Sequence, residues 1–139
     1  MIHVCRTIAV SLLFGLTTSA IAATENLPLA STLPADVVKI SPVVPAMGEH
    51  WANPKDLPLG PIYGVSEGRV IFLEFMIDRD TLAKGTSFTD LKSKAGIPLP
   101  SVEHVDFDWE PDGHEGYTVP HYDIHLYFVP HNEHMAIKP

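Results

Sequence analysis

The fold class this sequence predicts is mainly β: a small barrel or sandwich with one short helix and an extended Pro-rich N-terminal arm. Three observations carry that expectation. Short segments alternate in polarity with period two, the signature of strands. The 13 prolines and 9 glycines break the chain too often for long helices. A single window, "TSFTDLKSKAG", has a cap, a four-residue apolar spacing and a terminal glycine in the right order for a helix.

Taken in order, residues 1–22 have the form of a targeting segment. Arg6 precedes an apolar run from Thr7 to about Gly15, and Ala20-Ile21-Ala22 fits an A-x-A cleavage pattern. The protein is therefore expected to be exported, periplasmic or secreted, and free of the membrane after cleavage. Cys5, the one cysteine, leaves with that segment, so thiolate chemistry and disulfides are excluded from the mature chain. Residues 23–45 contain Pro28, Pro34, Pro42 and Pro45 without a helical period, which predicts an extended arm with a short strand at "DVVKI". Such an arm is either flexible or laid over a neighbouring subunit.

A compact, barrel-like domain is expected over 46–130. "GPIYGV" and "GRVIFLEFMI" form two strands joined across Ser66-Glu67-Gly68, with Gly68 suited to a left-handed turn position. "TSFTDLKSKAG" is the helix, capped by Ser87 or Thr86 and stopped by Gly96, with Pro98 and Pro100 preventing continuation. "SVEHVDFDWE" and "HYDIHLYFV" are two further alternating strands. Residues 131–139 read as a flexible tail.

Charge narrows the function classes. At −8 with histidines neutral, the chain lacks the electrostatic footprint of a nucleic-acid or anionic-membrane binder. Its chemistry lies instead in the alternating strands. Side chains two apart share a face, so His104, Asp106 and Asp108 lie together, as do His121, Asp123, His125 and Tyr127. A tight turn at Asp112-Gly113 sets His104 opposite His121. A wider loop with pairing after Pro120 sets Asp108 against His121 and His104 against His125. Either register gathers imidazoles and carboxylates on one face. An ordinary wet face is richer in Lys, Thr and Ser, so a solvated surface is the blander reading and a functional face the leading one.

Geometry limits that face. Residues four apart on a strand are about 13 Å apart, so His121 and His125 do not share one ion, whereas pairs two apart, at about 7 Å, can converge. A site then takes His121 with Asp123, or Asp123 with His125, completed from other strands. Imidazole with carboxylate suits zinc, copper, nickel, iron or manganese and selects none of them. Glu74 interrupts a strand apolar on both faces. It is either buried beside a histidine or cation, or paired outward with Arg69. His50 and His114 are weaker in isolation, His114 as a loop residue between glycines. His131-x-x-His134-Met135 carries copper-type donors but falls in the tail.

The segments "MGEHW", "GPIYGVSEGRVIFLEFM" and "HVDFDWEPDGHEGYTVPHYDIHLYF" together resemble an uncharacterised family of exported bacterial proteins, a domain of unknown function. The pattern H-x-D-x-x-x-x-P-x-G-H followed by P-H-x-D-x-H-x-Y carries the likeness. Its matching positions are His50, Glu74, His104, Asp106, Pro111, Gly113, His114, Pro120, His121, Asp123, His125 and Tyr127. The resemblance implies a β-rich, barrel-like domain with a tendency to homo-oligomerise; it carries fold and motif membership, not a mechanism.

The leading functional expectation is a binding protein for a divalent transition metal or small polar ligand. The candidate ligands are His50, Glu74, His104, Asp106, His121, Asp123 and His125, supported by Tyr127 and His114. Two alternatives stand beside it. One is an enzyme of hydrolase or isomerase type using an Asp–His acid–base pair, with no particular catalytic residue singled out. The other is a structural or stress-related homo-oligomer in which the His/Asp face is a hydrogen-bonded core.

Overall fold

The computed structural model describes residues 26–94 and 96–139, so the expected targeting segment lies outside the described residues. The fold is mainly β, as the alternation predicts. Its strands are β1 (Val38–Lys39), β2 (Glu49–Ala52), β3 (Ile62–Ser66), β4 (Arg69–Asp78), β5 (His104–Glu110) and β6 (His121–Tyr127). They form a six-stranded sheet in the order β1-β2-β3-β4-β6-β5, with every neighbouring pair antiparallel. Among the described residues the sheet ends at β1 and β5 and is not closed into a barrel.

The longest strand, β4, lies at the centre because its near-continuous apolar run can be buried on both faces, the usual lot of an interior strand. It joins β3 at the expected place, but Ser66 pairs with Arg69, so the turn is the two residues Glu67 and Gly68, both at positive φ (49° and 75°). That is the mirror-image turn whose twist matches a hairpin. The core unites Tyr63, Leu73 and Phe75 of the sheet with Leu27, Ala30 and Val37 of the N-terminal segment. Residues 26–45 are thus packed on their own sheet: Leu29 bridges to Arg69, and β1 pairs with β2.

The helix expected over 86–96 is not formed. Asp90 sits in its middle at φ 59°, incompatible with a right-handed helix. The segment is held to the sheet instead, with Lys94 N–H donating to the Tyr63 hydroxyl at 3.1 Å and Ser93 Oγ 3.0 Å from the same oxygen. A short helix forms earlier, α1 (Arg79–Ala83). The Asp78 side chain caps it by accepting from Thr81 N–H at 2.8 Å, and Gly85 at φ 71° follows its end. A second, α2 (His131–His134), stands where a flexible tail is expected. It is anchored because His134 is buried against the sheet. Among the described residues no helix is long and apolar enough to cross a membrane.

Candidate metal centre

Strand alternation places the polar residues. Glu74 of β4 stands opposite His125 of β6 and Ile62 of β3, and His125 stands opposite Asp106 of β5. One face of the sheet therefore carries His104, Asp106, Asp108, His121, Asp123, His125, Tyr127, Phe72 and Glu74, extended by His50 of β2 across Gly64. The opposite face of β5 carries Val105, Phe107 and Trp109.

The β5–β6 register is neither of those expected. His104 faces Tyr127, Asp106 faces His125, and Asp108 faces Asp123. Pairing does begin after Pro120, but the whole of 111–120 belongs to the connection. A small closed turn forms inside it, His114 and Tyr117 exchanging backbone hydrogen bonds at 3.0 Å, with Gly113 and Gly116 at positive φ.

Burial runs opposite to polarity. His121 and His125 are 0% exposed, while Val105 and Phe107 are each 55% exposed. The polar register of β6 is its inside.

Three groups of donors converge on this face among the described residues: His50, Glu74 and His125; His114, His121 and Asp123; and His104, Asp106, His131 and His134. All seven ligand candidates fall into these groups. His121 and His125 lie in different groups, in keeping with their separation along β6. Tyr127 donates no atom to a group. Its ring stacks on His104 at 4.8 Å and His134 at 4.0 Å, and lies 5.6 Å from His125. Phe72 packs edge-on against His50 and His125 over Gly64, where a Cβ would fall 2.0 Å from its ring. Phe72 thus backs the His50–Glu74–His125 group, while Tyr127 stands between His125 and the His104–His134 pair.

The ring tautomers are set by backbone and hydroxyl acceptors. His121 Nδ1–H donates to the Val119 carbonyl at 2.7 Å, and His114 Nδ1–H to the Glu115 carbonyl at 3.0 Å. His134 Nδ1–H donates to the Ala46 carbonyl at 2.9 Å. Ser41 Oγ gives its own proton to the Pro42 carbonyl at 2.8 Å, so it accepts from His50 Nδ1–H at 3.0 Å. With Nδ1 donating to these acceptors, it is the Nε2 of each ring that faces its group. A metal-bound histidine is held in the same way. His114 Nε2 and His121 Nε2 approach to 3.2 Å, a separation that one shared proton or one shared cation can bridge.

Distances fit an ion. Donors 2.0–2.1 Å from a tetrahedral metal lie about 3.4 Å from one another. Here His121 Nε2 to Asp123 Oδ1 is 3.0 Å and His114 Nε2 to Asp123 Oδ2 is 3.9 Å. His50 Nε2 and His125 Nε2 lie 3.7 and 3.8 Å from the two Glu74 oxygens. Buried Glu74 Oε2, His104 Nε2, Asp123 Oδ1 and both ring nitrogens of His125 have no hydrogen-bond partner, a costly arrangement unless another group satisfies them.

Electrostatics keep the histidines of the central group neutral. Burial lowers His50 and His125 to about 4, with His125 adding to the effect on His50. Burial drives the Glu74 carboxyl well above the usual carboxylate range, reinforced by Asp123 and Asp108. Asp123 and Asp108 are raised too, chiefly by burial. The Tyr127 phenol is also raised by burial, then by Asp106. Neutral imidazoles are the ligating form.

Reading 131–139 as a tail hides His131 and His134. Their i, i+3 spacing directly after Pro130 is the signal that could reveal them, since it places both rings on one side of a helical turn. A separate cavity of about 610 Å³, lined by Leu27, Val65, Ile71 and Ile137 among others, meets these groups at His134 alone.

The fold and this buried face describe a mainly β protein with imidazole–carboxylate groups, and its likenesses are to proteins of uncharacterised function. Residues 65–109 match the TTHB210-like family, described as hypothetical protein TTHB210. The crystal structure of hypothetical protein TTHB210 from Thermus thermophilus is similar in fold, with a TM-score of 0.61 and 23% identity, over 74% of this chain and 94% of that one. No curated protein matches the chain.

Proposed function

We propose that this protein binds a divalent transition metal on the buried polar face of its sheet, through the groups His50–Glu74–His125 and His114–His121–Asp123. The observation that carries this reading is the convergence of His114 Nε2 and His121 Nε2, 3.2 Å apart, on the buried Asp123 carboxyl, whose Oδ1 has no hydrogen-bond partner. The donor chemistry admits zinc, copper, nickel, iron or manganese. Three protein donors leave a tetrahedral ion one open position, as exchangeable and catalytic sites do. That open position supports a second reading, capture of a small polar ligand on the ion.

Elemental analysis of tag-free protein and calorimetric titration with zinc test the proposal. Stoichiometric binding is expected, weakened at least tenfold in His121→Ala. Protein that purifies without metal and shows no heat or thermal shift with zinc, copper or nickel would overturn it.

In the same reading the protein is exported and acts as a homo-oligomer. Self-association is supported by β5, an unpaired sheet edge whose outer face exposes Val105, Phe107 and Trp109.

A further inference from the structure

We infer that His104, Asp106, His131 and His134 form a separate, closed transition-metal site that fastens the C-terminal segment to the edge strand β5. It differs in kind from the two groups above. It offers four protein donors, two from β5 and two from α2, and four donors close a tetrahedral shell. Closed sites of this sort contribute to folding and leave no position for exchange chemistry.

The geometry centres on one oxygen. Asp106 Oδ2 lies 3.9 Å from His104 Nε2, 4.0 Å from His131 Nδ1 and 3.8 Å from His134 Nε2. Each distance is too long for a hydrogen bond and near the edge of a tetrahedral shell. His134 Nε2 and His131 Nδ1 approach to 3.1 Å. His134 is 3% exposed and oriented by the Ala46 carbonyl, while His104 Nε2 is buried without a partner. Stacking on Tyr127 holds the His104 and His134 rings in place.

The element that supplies half the donors has little else to hold it. α2 has four residues, and His134 is its one buried side chain. A helix of that length is not stable by propensity. Beyond the His134 contact, the segment is held at Ile137, which packs against the core and whose carbonyl accepts from Ala46 N–H at 3.0 Å. An ion shared by β5 and α2 would supply a cross-link between residues 104–106 and 131–134, much as structural zinc does in small domains.

Hydrogen exchange of tag-free full-length protein, treated with EDTA or with zinc chloride, tests this. Amides of residues 131–138 are expected to exchange at least tenfold more slowly with zinc. His131→Ala, chosen because that side chain is 65% exposed and safe to remove, should abolish the protection and bind one zinc fewer than wild type. The inference does not depend on the two three-donor groups. His121→Ala should leave the 131–138 protection intact, so loss of binding there and loss of binding here are read separately. Equal exchange of 131–138 with and without zinc, or the same zinc stoichiometry in wild type and His131→Ala, would overturn it.

Discussion

Glu74 and His125 show what a single buried position costs and what it prepares. A carboxyl and an imidazole face each other 3.8 Å apart, too far for a hydrogen bond, and burial disfavours the charged form of each, raising the carboxyl and lowering the imidazole. The imidazole's ordinary pKa is 6.5 and its folded value about 4. Between those values the unfolded chain takes up a proton that the folded chain refuses. The contribution of His125 is therefore intact above about 6.5 and is lost as pH falls toward 4. Glu74 has the opposite sign: its raised folded pKa costs stability as pH rises above its ordinary 4.5. In the presence of EDTA, wild type should lose stability relative to His125→Gln as pH is lowered from 7 to 5. The loss should be at most about 1.4 kcal/mol per pH unit. Urea unfolding measures it, and a difference that stays flat across that range would refute the assignment of a neutral buried imidazole.

At the scale of elements, β3 and β4 meet at a glycine for a steric reason. The Phe72 ring occupies the space where a Gly64 side chain would stand, and that ring backs both His50 and His125. Gly64→Ala should therefore cost about 1–3 kcal/mol by overpacking and weaken metal at the central group while sparing His114–His121–Asp123. Urea unfolding beside zinc titration would check both. Much of this architecture is legible in residue order. The β3–β4 hairpin, the shared faces of β5 and β6 and the interruption of an apolar strand by Glu74 all follow from period-two alternation and turn chemistry. Three features escape it. The 86–96 segment has local helix signals, but tertiary tethering to Tyr63 and the conformation of Asp90 override them. The β5–β6 register depends on the internal turn at 114–117, which spacing alone does not reveal. His131 and His134 join the site only because the chain after β6 folds back over it, a long-range contact without a local pattern.

For the whole molecule, the open sheet leaves β5 as an edge with Val105, Phe107 and Trp109 turned outward. Isolated exposed apolar residues are ordinary, but a contiguous row on an unpaired edge is a surface that natural proteins cover or charge. Self-association through this edge should be abolished by Phe107→Lys. Analytical ultracentrifugation is expected to show a larger species for wild type and a monomer for the variant. A monomeric wild type at micromolar concentration would remove this support.

The reversal of polarity across β6 has one more consequence. In most sheets, mutational tolerance follows hydrophobicity: polar positions accept replacement and apolar ones resist it. Here His121, Asp123 and His125 are enclosed by neighbours, whereas Val105 and Phe107 meet solvent. A survey of substitutions along these strands in the isolated chain would find the familiar pattern turned over, with the charged-looking register intolerant and the greasy one permissive.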